Sequence, residues 1–209
     1  MPGEAGRDGS TRRLELVADP VSGLAAALAA GAYALEEDGD LRASRQSFYQ
    51  AYQLAEQAGD ERATALAVLG LAGLWVSERR TLTGAVQLEA RLEHVLSSLD
   101  PRSLLALRVR TRLAGEADYR QGGHAAILAA LDEARAAGDP ELLAEALSLA
   151  HHCLLGPEHV RRRRELAVEL IKASFRTGST RRRPWPASVP KAALPRATST
   201  TTGGLVPSW

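Results

Sequence analysis

His151, His152, Cys153 and His159 form the grouping in this chain whose residue types suit a metal ion, since imidazole nitrogen and thiolate sulfur are the ligands zinc prefers. Spacing works against them. Neighbouring residues on a helix point about 100° apart, so His151 and His152 cannot both face one ion beside Cys153 unless the next helix contributes, as His159 could across a turn. The competing reading is a packed cysteine with half-exposed imidazoles near a helix end, where positive charge is favoured. That reading is the expectation, and neither a metal nor a cofactor is assigned. For covalent chemistry the chain offers no Gly-x-Ser-x-Gly elbow, and no Gly-x-x-x-x-Gly-Lys-Ser/Thr loop stands ready to cradle phosphates. The paired carboxylates Glu36 and Glu37 fall at a turn beside Asp38, where solvent holds them ionised. No catalytic residue is assigned, and the chain is expected not to be an enzyme.

Arg161 to Arg164 are a second conspicuous run. Four consecutive helical residues spread around most of the circumference, so they make a solvated face rather than one basic stripe. Glu158 with Arg162, and Arg161 with Glu165, have the spacing of modest i,i+4 ion pairs. Tyr33, Tyr49, Tyr52, Trp75 and Tyr119 sit singly at helical spacing and are expected to pack between helices rather than to stack on bases.

Charge divides the chain. Seven of the 26 Lys and Arg residues follow Glu169 and none of the 25 acids does, so residues 1–169 carry a net charge of about −6 and the remainder is basic. An acidic body argues against direct nucleic-acid binding by the folded part, which would need clustered Lys and Arg. The single cysteine excludes an intrachain disulfide and fits a reducing interior. The most apolar stretch, from Gly23 to Leu35, is ended by Glu36, Glu37 and Asp38 too soon to span a membrane, and the first residues lack the apolar centre of a signal peptide. A cytoplasmic protein without membrane partners is expected.

The elements that position these residues follow from composition and punctuation. Ala and Leu dominate and aromatics are 4% of the chain, which favours an all-α fold. Asp caps helix starts because its carboxylate accepts bonds from unpaired amides, and Pro suits the first helical turn. Asp19-Pro20, Asp60-Glu61, Asp100-Pro101 and Asp139-Pro140 recur at spacings of 41, 40 and 39 residues. Gly39-Asp40, Thr81 or Thr83, Gly122-Gly123 and Gly156-Pro157 interleave with them. The pattern predicts four helix pairs. The Asp-capped A helices cover about 20–37, 61–79, 101–120 and 140–155, and the B helices about 41–58, 82–98, 123–137 and 158–172. In the second A helix Ala65, Leu66, Leu69, Ala72 and Val76 are predicted to share a face widened by Leu71, Leu74 and Trp75. Gly31, Gly70 and Gly73 would let backbones approach closely there.

Gly31, Gly39-Asp40, Ser44, Phe48, Ala51 and Leu54 follow the order of a tetratricopeptide unit: a small residue midway along helix A, Gly-Asp at the turn, then small, aromatic and Ala positions along helix B. Leu69-Gly70 repeats the helix-A feature, whereas Val109-Arg110 and Leu149-Ala150 stand at the equivalent places later, and the period exceeds the usual 34. Residues 19–172 thus resemble a tetratricopeptide-like array, which implies a right-handed α-solenoid of about four antiparallel helix pairs. Ala137 to Leu147, with His151-His152, Leu155 to His159 and Arg164 to Ala167, is similar to the helical-repeat region of large actinobacterial ATP-binding, LuxR-type transcriptional regulators. That resemblance implies nucleotide-binding and DNA-binding modules elsewhere in the intact protein.

Residues 1–18 read as disordered or as part of a leading helix, with Arg12 to Val17 like the end of an earlier B helix. Residues 173–209 carry Arg181-Arg182-Arg183-Pro184-Trp185-Pro186 and a Thr run without apolar periodicity. Three readings stay open for them: a functional basic tail, a plain disordered tail, or translation in a shifted frame. Both ends look cut, and faces left uncovered there would allow oligomerisation. The expected function is a non-enzymatic interaction scaffold, a fragment of a bacterial transcriptional regulator, holding a protein or peptide on the surface lined by A helices. The alternative is a helical sensor responsive to a small molecule or metal.

Overall fold

A computed structural model describes residues 20–76 and 81–176. Asp19, residues 1–18 and the basic segment beyond residue 176 lie outside the described residues, with the expectations attached to them. Among the described residues eight α-helices occur in order: α1 Pro20–Glu36, α2 Leu41–Ala58, α3 Glu61–Ala72, α4 Leu82–Ser98, α5 Leu104–Gln121, α6 Ala125–Ala137, α7 Pro140–Cys153 and α8 Val160–Arg176. A 3-10 turn, Pro157–His159, leads into α8. No strand is present among the described residues, so the fold is all-α. No helix among them is long and apolar enough to cross a membrane.

The helix starts are set largely by side chains. Asp40 Oδ1 accepts from the amides of Arg42 and Ala43 at 3.0 and 2.9 Å, Asp60 from Ala63 at 2.9 Å, and Asp139 from Leu142 at 2.7 Å. Thr81 is the cap of α4, accepting from Gly84 at 3.2 Å. The third A helix departs from the expected start at Pro101. Asp100 instead closes a turn, its Oδ1 taking the Arg102 amide at 3.0 Å, and Ser103 Oγ caps α5 through Ala106 N at 3.1 Å. α6 starts without a cap from its own N-cap residue, His124. The buried Asp118 of α5 substitutes, accepting from Ile127 N at 2.8 Å.

Each helix packs on the next, and α1 touches α3, α3 touches α5, and α5 touches α7. Among the described residues, no two even-numbered helices bring their Cα atoms within 8 Å. Those helices reach one another through long side chains. Arg91 of α4 lies 4.9 Å from the Tyr52 ring and 5.6 Å from the Tyr49 ring of α2, and Arg135 of α6 pairs with Glu169 of α8 at 2.6 Å.

The core runs along this succession in three clusters. The first surrounds Phe48 with Leu24, Leu28, Ala51 and Leu66. Phe48 is fully buried between two glycines, where a Cβ on Gly31 would lie 2.9 Å and one on Gly70 2.4 Å from the ring. No other residue type fits either position without displacing it. The second cluster joins Ala65, Val68 and Leu69 to Leu88, Leu92 and Val109. The third gathers Val76, Leu107 and Ile127 with Leu142, Leu147 and Leu166. Residues 63–72 of α3 are therefore buried all round, not along the single face that the periodicity suggested, because α3 lies between two clusters. The helix also stops at Ala72, earlier than the expected residue 79.

Candidate functional site

The early end of α3 has a definite cause. Gly73 adopts φ +80°, a conformation that side chains disfavour, and turns the chain out of the helix. Helix ends leave carbonyls without intrahelical donors. Arg112 of α5, only 2% exposed, supplies them: Nη1 donates to Gly73 O at 2.9 Å, and Nη2 to Trp75 O at 2.7 Å and to Ala72 O. Nε donates to Glu116 Oε1 at 3.0 Å, which brings a carboxylate to the buried charge. A guanidinium out of water is costly unless so engaged.

Pinning residues 72–75 sorts the side chains that follow. Val76 is buried in the third cluster, while Leu74 and Trp75 are turned outward and are 45% and 49% exposed. Trp75 thereby borders a cavity of about 270 Å³, with Arg112, Ala144, Glu145 and Ser148 lining it and Leu170 and Ser174 of α8 contributing the far wall. At its edge Arg108 Nε pairs with Glu145 Oε2 at 2.9 Å, both side chains about one-fifth exposed. Burial works against the charge on Arg108, but Glu145, Glu141 and Asp139 outweigh it and hold the guanidinium above its ordinary pKa.

His152 lies beside Trp75. Its Nδ1 lies 2.7 Å from Ser148 O, so that nitrogen carries the proton and donates, and the ring stands 6.3 Å from that of Trp75. Beside these polar groups, the Trp75 indole, Leu74 and Leu170 give the cavity its apolar lining.

The other sequence-predicted residues disperse. Cys153 turns inward, with Sγ 3.5 Å from Gly115 O, and burial pushes its thiol up to about 12. His159 packs against His124, with ring centroids 4.7 Å apart, rather than toward His151 and His152. Burial, then Arg163 and His152, lower the pKa of His151. Among the described residues no group of three His, Cys, Asp or Glu is placed to hold a metal. In the arginine run, Arg161 pairs with Glu165 at 3.0 Å, but Glu158 lies 3.4 Å from His159 and forms no pair with Arg162. The 3-10 turn removes the helical register that the second pair required.

The aromatic residues also depart from expectation. Tyr52 packs against the core, but Tyr33, Tyr49, Trp75 and Tyr119 are each at least one-third exposed. Periodicity placed Trp75 on a helix that in fact ends three residues before it. Arg112 was missed altogether, because it is one of four arginines in α5 and nothing in the local pattern separates it from Arg108, Arg110 and Arg120. No family model, curated protein or solved structure matches the chain.

Proposed function

We propose that the chain is a tetratricopeptide-like α-solenoid that acts as a non-enzymatic scaffold, holding a peptide of a partner protein on the surface lined by its odd-numbered helices. The observation that carries the reading is the half-exposed Trp75 standing over a cavity bordered by α5, α7 and α8. Its volume of about 270 Å³ falls just below the roughly 300–1,000 Å³ of small-molecule sites and suits one inserted side chain. An exposed Trp beside a pocket is the residue type that dominates binding energy at interfaces. The repeat assignment is supported by Phe48 seated between Gly31 and Gly70, which brings the helix-B aromatic of one unit against the small helix-A residues of two successive units. The wider proposal, that these helices serve a cytoplasmic actinobacterial regulator of the LuxR type, rests on the sequence resemblance around residues 137–167 alone.

Selection of phage-displayed random peptides against the full chain tests the scaffold. Selected peptides should share one bulky apolar residue, and Trp75→Ala should weaken them about 10-fold to 100-fold, as loss of a hot-spot aromatic does. The melting temperature should hardly change, because Trp75 is half exposed. Peptides that bind the variant equally well would place the partner surface elsewhere. No peptide enrichment, combined with stabilisation by a metal or metabolite, would favour the sensor instead.

A further inference from the structure

α8 carries a surface that neither the groove nor the core uses. Leu166 and Ala173 face α7 and are buried, whereas Val168, Ile171 and Phe175 are 47%, 57% and 71% exposed. Their spacing, with Arg164 one step earlier, is four, three and four residues, which sets all four side chains along one stripe of the helix. That stripe has the alternation of a coiled-coil seam, pointing away from α7.

We infer that this face of α8 binds a second copy of the same chain, antiparallel, about a two-fold axis passing between Val168 and Ile171. The charges beside the stripe select that occupant. Glu165 and Lys172 flank the same edge two turns apart, so the two-fold places Glu165 of each copy within a turn of Lys172 of the other. It also sets Val168 against Ile171 and Arg164 over the Phe175 ring, an attractive cation–π arrangement. A parallel pairing would oppose Arg164 with Arg164 and would set Lys172 against Ala167 rather than against a carboxylate. The antiparallel arrangement is thus self-complementary, and isologous contacts of this kind close as dimers.

A further observation fits. Glu165 pairs with Arg161, whose side chain is 93% exposed, and such a pair exchanges partners at little cost. The stripe is short against the roughly 800 Å² that each partner buries in a standard interface, so dissociation constants of about 10–100 µM are expected.

Sedimentation equilibrium of the full chain between about 5 and 500 µM brackets that range and should show monomer passing to dimer. Ile171→Asp and Phe175→Asp should abolish the dimer with unchanged far-ultraviolet circular dichroism, since both side chains are exposed in the monomer. Glu165→Lys and Lys172→Glu should each weaken self-association about 10-fold, and an equimolar mixture of the two should associate as well as the native chain. A chain that stays monomeric at the highest concentration overturns the inference. So does a dimer that survives Ile171→Asp, or a mixture of the charge variants that associates no better than either alone.

Discussion

Arg112 of α5 donates to Ala72 O at the end of α3, forty residues earlier in the chain, and so fixes where that helix stops. Helix α3, the turn at Gly73 and the outward Trp75 depend on one guanidinium.

Replacing Arg112 with Leu should therefore destabilise more than its surface position in a pattern would suggest. The carbonyls of Ala72, Gly73 and Trp75 lose their donor, and Glu116 loses the charge it faces. A cost of about 3–5 kcal/mol is expected, as for breaking a buried pair from one side. Arg112→Lys should recover only part, because an ammonium cannot span three carbonyls and a carboxylate. Urea unfolding followed by circular dichroism measures both.

The glycine pair around Phe48 gives a second prediction. Gly70→Ala should cost about 1–3 kcal/mol despite the better helix propensity of Ala, because its Cβ would meet the ring. Phe48→Leu in the same chain should relieve part of that loss, giving a coupling energy of about 1 kcal/mol or more in a double-mutant cycle. An additive result would show that the ring moves aside freely.

These two sites mark how far the sequence could be read. The α2 cap at Asp40, the α3 cap at Asp60 and the α7 cap at Asp139 were legible because each acts within three residues of itself. Phe48 with Gly31 and Gly70 was legible as a motif, although its packing was not. Arg112 and Asp118 act on distant helix ends, at separations of 37 to 40 and 9 residues, and local pattern has no view of such partners. Asp100 illustrates the competing case: two good capping residues stood three apart, and Ser103 took the helix. The groove was legible only as a surface of A helices, since the cavity exists because α3 ends before Trp75.

Asp118 provides a third prediction. Its carboxylate accepts the Ile127 amide in the place of a cap that His124 does not supply. Asp118→Ala should cost about 1–2 kcal/mol and raise amide exchange first in the opening turn of α6.

Acid sensitivity should come in part from Glu169. Hydrogen bonding by Arg135 holds its carboxyl below the ordinary 4.5. A folded-state value below the unfolded one contributes stability that is present above about pH 4.5 and is lost as pH falls through the folded value. The pair is partly solvated, so about 0.5–1 kcal/mol is expected, and 1 M salt should reduce it. Denaturation midpoints of native chain and Glu169→Gln, compared from pH 7 to pH 3, should converge at the acid end.

Cys153 behaves in the opposite sense. Its thiol, raised from 9.0 to about 12 by burial, stays protonated when folded, so the unfolded chain releases the proton first. Stability from this group is complete below pH 9 and declines as pH rises toward 12. Alkylation at pH 8 should be slow in the native chain and should follow its unfolding rate or opening equilibrium, rather than the chemistry of a free thiol.

The odd-numbered helices touch backbone to backbone, while the even-numbered ones are tied by Arg91 over two tyrosines and by Arg135 to Glu169. One side of the molecule is thus held by packed helices and the other by solvent-exposed charged side chains, so added salt, which screens exposed charges, should act on the second side first.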